Sequence, residues 1–244
     1  MTPPPTLLAQ QEPVIPDFGE GSACVTENRF FCPDWVRDNW ATVIEPALVE
    51  HVKLTVIAVV VGFAIAFAAA LVTYRYRRFE TPFLTFSAIV YTIPSLALFQ
   101  LLVPITGISV TTVEIALVSY TLLILFRNIL SGLRSTPADV LEAARGMGYT
   151  GTQTLLRVQL PLALPAIVAG IRIATVTTIS LATVAAFVLP DGLGQPILDG
   201  LKTFFKTKFI AAGALAVALA IVADGLLVLA QRTVAPWARL GSAR

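Results

Sequence analysis

Five long apolar runs alternate with polar segments along the chain, at residues 52–72, 83–103, 112–130, 162–188 and 209–230. Each approaches or exceeds the roughly 20 apolar residues that a helix needs to cross the ~30 Å hydrocarbon core of a bilayer. The pattern therefore predicts an all-α membrane protein of five spanning helices. Lipid offers no water to unpaired backbone groups, so Pro94 in the second run and Pro165 in the fourth are expected to face neighbouring helices or a cavity. Composition agrees with the pattern: 56% of the 244 residues are hydrophobic and 13% charged, with mean hydropathy +0.80, outside the usual range of soluble domains.

Basic residues in short loops orient the bundle. Arg75, Arg77 and Arg78 follow the first run, Arg134, Arg145 and Arg157 lie between the third and fourth, and Arg232, Arg239 and Arg244 follow the fifth. These groups share one side, opposed by Lys53, Lys202, Lys206 and Lys208 on the other. The N-terminus is expected outside and the C-terminus in the cytoplasm of a cell (plasma or inner) membrane. Residues 1–48 then form an extracytoplasmic tail and residues 49–244 the transmembrane domain. The Pro-rich stretch 2–16 has neither a basic nor an apolar region and does not read as a signal peptide. Cys24 and Cys32, the only cysteines, either close a small disulfide loop in an oxidising compartment or remain two unrelated thiols. Trp35, Trp40, Val43 and Leu48 suggest a short helix along the outer interface, or simply a lead-in to the first span. His51, the lone histidine, has no ligand set or base partner nearby in sequence; it reads as an interfacial residue, and no metal site is expected.

Polar groups inside apolar runs are costly and are functional candidates for that reason. Pro94 and Ser95 interrupt the second run near its middle, lining a translocation path, acting as a gate, or forming an ordinary packed kink. Arg127, near the end of the third run, is expected to anchor at the interface. Arg172 and Asp224 lie about two turns inward on the fourth and fifth runs; their opposite charge and similar depth predict an interhelical ion pair. Between these runs, residues 189–208 are too polar and glycine-rich to span. Ile197, Leu198, Leu201, Phe204 and Phe205 predict a short helix dipping back to the bundle as an outer gate, while the nearby lysines would suit lipid headgroups.

No phosphate-binding glycine loop, zinc-protease motif or nucleophile elbow is present, so no catalytic residue is assigned. The largest feature on the cytoplasmic side is the loop at about 134–161. Thr136 fits an N-cap, Pro137 the first helical position, and Asp139 the third residue after the cap. Val140, Leu141, Ala144 and Met147 recur at helical spacing, and Gly146 and Gly148 stop the helix. A second short helix is expected over residues 151–158, ending at Leu160-Pro161, where the chain re-enters the membrane. Ala143 and Ala144 would permit close approach by another protein.

This loop resembles, residue by residue, the signature of permease subunits of binding-protein-dependent ABC importers. That signature is Glu-Ala-Ala, three residues, Gly, nine residues, an aliphatic residue, one residue, Leu-Pro. Here it reads Glu142-Ala143-Ala144, Gly148, Val158, Leu160 and Pro161, with Val158 where Ile is commoner. Residues 48–201 are similar in finer detail to osmoprotectant permeases, which move glycine betaine, carnitine, choline and related quaternary ammonium solutes. The residues that carry this are Thr92-Ile93-Pro94-Ser95-Leu96-Ala97, Arg127-Asn128, residues 141–147, Leu160-Pro161-Leu162-Ala163-Leu164-Pro165 and Gly192-Leu193-Gly194.

The resemblance implies a five-helix type I ABC importer transmembrane domain, with residues 142–148 as the helix that couples to an ATPase subunit and Gly192 and Gly194 near the outer gate. It implies no cofactor in this chain, with ATP and Mg on the partner ATPase. The expected partners are ABC ATPase subunits, a second permease chain in a homo- or heterodimer, an extracytoplasmic solute-binding protein and the lipid bilayer, with no nucleic acid. Permeases for amino acids and other small solutes share this loop and are the rival within the class. An ATP-independent channel or secondary transporter is the rival outside it, and a purely structural assembly subunit is a third reading.

Overall fold

The computed structural model describes residues 22–239, all helix, turn and loop. The expectations for residues 1–21 and for Arg244 lie outside the described residues. Two short helices, α1 (Ala23–Thr26) and α2 (Pro33–Asp38), precede a wide turn, Trp40–Ile44, that flows into α3 (Glu45–Arg75). Next come α4 (Glu80–Thr92), α5 (Ser95–Thr106), α6 (Val110–Arg134), α7 (Ala138–Gly146) and α8 (Gly151–Thr154). The chain finishes with α9 (Leu160–Val184), α10 (Gly194–Lys202), α11 (Lys206–Val234) and a final turn. Among the described residues, four unbroken helices are long and apolar enough to cross a membrane: Trp40–Arg75, Val110–Arg134, Gly151–Phe187 and Lys206–Val234; α4 and α5 form a bent pair that makes a fifth span if counted as one.

The second run is therefore not one straight helix. It breaks at Ile93-Pro94 with a bend of 102°. Proline lacks an N–H and pushes the residue before it out of the helical region; Ile93 sits at φ −68°, ψ 129°. The carbonyl that the break frees is not left bare, because the Tyr120 hydroxyl on α6 donates to Ile93 O. The wall expected behind Pro94 is thus built by α6 on its backbone side, while the Pro94 ring itself is exposed on the isolated chain.

α6 is the axis of the bundle, packed between α3 and α9. Over its most apolar stretch 61% of α6 is buried, against 11% of α11. Leu54, Leu98, Phe99, Leu117 and Tyr120 fill one layer, and Leu125, Phe126, Ile129, Leu133 and Ile167 the other. In lipid, helices associate through close packing of small residues rather than through a hydrophobic drive. Two glycines set the crossings: a Cβ on Gly62 of α3 would lie 1.9 Å from Thr121 Oγ1, and one on Gly170 of α9 would lie 2.6 Å from Asn128 Cβ.

Trp35 lies in the short helix α2, whereas Trp40, Val43 and Leu48 lie in the continuous helix Trp40–Arg75 that leads into the first span. One boundary differs from the sequence expectation: the chain from Gly151 does not end a helix at Leu160-Pro161. It continues as one helix to Phe187, because the wide turn Leu155–Gln159 ends one residue before Leu160-Pro161 in the first turn of α9 and places Pro161 there. A wide turn accommodates a residue that has no N–H to give.

Candidate functional site

α7 is a short helix held at one end of the bundle. It begins one residue later than its sequence suggests: Pro137 takes the boundary position at φ −58°, ψ 146°, and Thr136 Oγ1 caps nothing, being buried without a hydrogen-bond partner. The far end is better specified. Tyr149 N–H donates to Ala144 O at 3.1 Å and Gly148 N–H to Arg145 O at 2.9 Å, with Gly148 at φ +80°. This paired pattern closes a helix around a left-handed residue, a conformation that glycine adopts without penalty. Glycine is thus required at position 148 by the backbone; nothing lies within 4 Å of where a side chain would begin.

Glu142 and Ala143 are exposed, and Met147 is 67% exposed, whereas Ala144 is 1% exposed and faces the chain's own bundle. Of the two alanines expected to admit a partner, only Ala143 is open to one. Glu142 forms no ion pair or hydrogen bond among the described residues. Val158 and Leu160 are half-buried at the junction with α9, Leu160 packing on the core layer around Phe126, and Pro161 follows at the helix start. These three secure the foot of α9, while residues 142, 143 and 147 present a surface. Gln159, which the sequence reading passed over, is 3% exposed and donates from Nε2 to the Tyr74 hydroxyl and, at 3.4 Å, to Leu133 O, tying the wide turn to α3 and α6.

At the opposite end, α10 is docked by a histidine. His51 is fully buried, not interfacial. Its Nδ1 accepts from Leu193 N–H at 3.3 Å and its Nε2 lies 3.1 Å from Ile179 O. Accepting at Nδ1 fixes the proton on Nε2, which donates to the carbonyl. One neutral imidazole thereby joins α3, α9 and the start of α10. Gly192, at φ +62°, and Gly194, where a Cβ would come within 2.3 Å of Thr183 O, let the chain turn tightly over this point. As expected, residues 194–202 form a helix and Phe205 is buried, but Phe204 and Leu201 are exposed.

Cys24 and Cys32 are joined in a disulfide. The ring they close carries Asn28, whose side chain donates to Phe204 O at 2.8 Å and accepts from Lys206 N–H at 3.1 Å. Cys32 N–H donates to Thr207 Oγ1, and Trp35 meets Phe205 edge-on with centroids 5.1 Å apart. The ring thus pins the turn between α10 and α11. Lys208 pairs with Asp199 at 3.1 Å, so it is engaged within the protein.

Arg172 and Asp224 meet through two bonds, Nε to Oδ1 at 2.8 Å and Nη2 to Oδ2 at 2.9 Å, joining α9 to α11. Pro94 and Ser95 lie at the break between α4 and α5. Two acids escaped the sequence reading. Glu80 clasps Arg134 at 2.8 and 2.7 Å, linking the start of α4 to the end of α6. Glu114 lies inside α6 with both carboxylate oxygens buried and unpartnered. The rule that singles out Arg172 and Asp224, that a charge within an apolar run needs a reason, applies equally to Glu114, one turn from the start of α6. Among the described residues no cluster of three His, Cys, Asp or Glu side chains could hold a metal ion.

A bundle with several helices long and apolar enough to cross a bilayer, a glycine-closed helix at one end and a clasped helix at the other, is that of a polytopic membrane protein. The chain belongs to the family described as binding-protein-dependent transport system inner membrane component, whose pattern matches residues 58–236. It is 35% identical over 188 residues to the glycine betaine/carnitine/choline transport system permease protein OpuCB of Bacillus subtilis, covering 77% of this chain and 86% of that one. It is 36% identical over 183 residues to the osmoprotectant import permease protein OsmW of Salmonella typhimurium, covering 73% and 85%. The carnitine transport permease protein OpuCD of Listeria monocytogenes is 34% identical over 204 residues, covering 83% and 91%. Among solved structures, a chain of the MetNI methionine ABC transporter in an inward-facing conformation superposes with TM-score 0.69 at 21% identity, covering 81% of this chain and 98% of that one. The fold is that of a type I ABC importer transmembrane domain, and the protein is an inner-membrane permease subunit.

Proposed function

We propose that this chain forms the translocation path of an ABC importer for quaternary ammonium osmoprotectants such as glycine betaine, carnitine and choline. The observation that carries the substrate class is the set of relatives, 34–36% identical over most of their length and named for these solutes. In this reading the α7 end faces the cytoplasm, in keeping with its arginines, and the α10 end faces outward, where a disulfide is chemically at home. A second permease chain, identical or related, completes the path. Separate ATPase subunits bind and hydrolyse ATP with Mg, and a solute-binding protein delivers the cargo from outside.

The work of this chain is conformational. Glu142, Ala143 and Met147 meet the ATPase, and the glycine-closed end of α7 keeps that contact surface in one shape. ATPase closure moves α7 and the foot of α9, and the movement re-sorts the bundle between inward and outward openings. Pro94 and Ser95 sit at the gate, and Gly192 and Gly194 let the outer helix seat over the opening. Arg172 with Asp224 holds α11 to the moving helix.

The test is uptake of labelled glycine betaine at high osmolarity in cells lacking this chain, restored with wild type or with Glu142→Lys at equal membrane levels. Wild type restores uptake and Glu142→Lys does not. Restoration by both would remove Glu142 from the coupling contact, and restoration by neither would remove this substrate class.

A further inference from the structure

Behind α7, on the side of the helix turned toward the bundle, lies a cavity of about 850 Å³. Its walls come from the ends of α3 and α6, from α7 and from the foot of α9. Four arginines line it, Arg75, Arg77, Arg134 and Arg145, and no carboxylate does. Arg134 is held by Glu80; the other three form no salt bridge among the described residues. Thr136 also lines the cavity, 8% exposed, with a hydroxyl that has no hydrogen-bond partner. Three unpaired guanidiniums and an orphan hydroxyl around one space are the complement of a group with several acceptor oxygens and negative charge. Leu141 and Arg145 belong to α7, Thr136 and Tyr149 flank it, and the rest of the wall belongs to the ends of α3 and α6 and the foot of α9, so whatever binds there ties α7 to the bundle.

Aromatic residues place the cavity relative to the bilayer. Tyr76 and Phe79 are exposed beside it, with the Arg75 guanidinium 5.4 Å from the Tyr76 ring centre and that of Arg78 5.0 Å from Phe79. Exposed aromatics with arginines at a helix end mark headgroup depth, and basic pockets between helices on the cytoplasmic side suit anionic lipid headgroups.

We propose that this cavity binds a phosphate group, supplied by an anionic phospholipid of the cytoplasmic leaflet, and that the bound phosphate braces α7 against the bundle. The proposal rests on the reading that the α7 end is cytoplasmic. Free phosphate has the same chemistry, and the experiment separates the two sources.

The assembled complex is placed in nanodiscs of phosphatidylcholine with or without phosphatidylglycerol, and the phosphatidylglycerol retained after extraction is counted by native mass spectrometry for wild type, Arg75→Gln/Arg77→Gln and Thr136→Val. Each arginine near an anionic surface is worth about a fivefold gain in affinity, so the double variant should bind phosphatidylglycerol roughly 30-fold more weakly. Thr136→Val preserves shape and should lose several-fold, which guards against misreading a folding defect. A lipid source predicts that inorganic phosphate does not displace the retained lipid; displacement, with phosphate binding seen by phosphorus NMR, assigns the site to free phosphate.

Equal retention by wild type and both variants overturns the proposal, as does an absence of both phosphatidylglycerol preference and phosphate binding in the wild type. Loss of the ATPase subunit from the arginine variant with lipid retention unchanged also overturns it, in favour of an acidic protein contact. Glycine betaine uptake is read separately. Lipid retention without uptake sinks the transport reading and leaves the site, whereas uptake without retention sinks the site alone.

Discussion

Replacing His51 with leucine tests whether one imidazole holds α10 in place. Leucine keeps similar bulk in a position that is 0% exposed but removes both polar contacts. The Leu193 N–H, itself fully buried, loses its acceptor, and an unpaired buried amide costs about 1–3 kcal/mol. The bond from Nε2 to Ile179 O contributes about a further 1 kcal/mol, partly offset by the more apolar side chain, leaving a net loss of about 2–3 kcal/mol. At roughly 2–4 °C per kcal/mol for a chain of this size, the purified protein should melt about 4–12 °C lower. His51→Gln, which can restore one contact, should fall between. The measurement is thermal unfolding of both variants, together with hydrogen exchange at Leu193. A leucine variant melting within about 2 °C of wild type, with Leu193 still protected, would refute the clasp, as would a glutamine variant less stable than the leucine one.

Gly148→Ala should cost about 1–2 kcal/mol in the end of α7, since only the left-handed backbone and no neighbour opposes a side chain there; solute-stimulated ATP hydrolysis by the complex should drop while membrane levels hold. Gly170→Val should cost about 1–3 kcal/mol through overpacking against Asn128, which is itself bonded to Ile124 O at 2.8 Å and cannot swing aside; the readout is melting temperature and yield. Serine in place of both Cys24 and Cys32 should remove about 2.5 kcal/mol of loop-closure stabilisation from the turn between α10 and α11, seen as faster hydrogen exchange at residues 204–207, with the α7 end unchanged.

The spans were legible from hydropathy because lipid demands long apolar runs, and the Arg172–Asp224 pairing was legible because opposite charges at matched depth have few other partners. What remained hidden depended on geometry that a run of residues does not encode. The apolar content of residues 83–103 is continuous, so hydropathy alone does not reveal a 102° break; Pro94 signalled it, but only Tyr120, 26 positions along the chain, shows how the break is stabilised. Pro161 looked like a boundary because proline usually ends a helix, and the wide turn that lets the helix continue is set by Gln159 bonding to Tyr74 and Leu133. His51 looks interfacial in the sequence because its partners, at Ile179 and Leu193, are far away along the chain. In α7 the signature positions were legible as a set but not by role. Gly148 is a backbone requirement, Ala144 packs inward and Glu142 faces out, and that division depends on the helix phase relative to the bundle.

These separate features meet on one helix. Gly151–Phe187 is 37 residues long, about 55 Å at 1.5 Å per residue, and it carries fixed points along its whole length. Its foot follows α7 and is locked to α3 and α6 by Gln159; Gly170 seats it against Asn128; Arg172 ties it to α11; Ile179 O receives His51; and Thr183 lies under Gly194 at the start of α10. A packed helix with these fixed points does not bend gradually, because close-packed interfaces resist small deformation and give way only to discrete rearrangement. A displacement imposed at α7 is therefore either stopped at the Gln159 lock or passed along the helix to α10. On the proposed coupling role of α7, the Gln159 lock, which the sequence did not suggest, sets how much of a movement at that end of the bundle reaches α10.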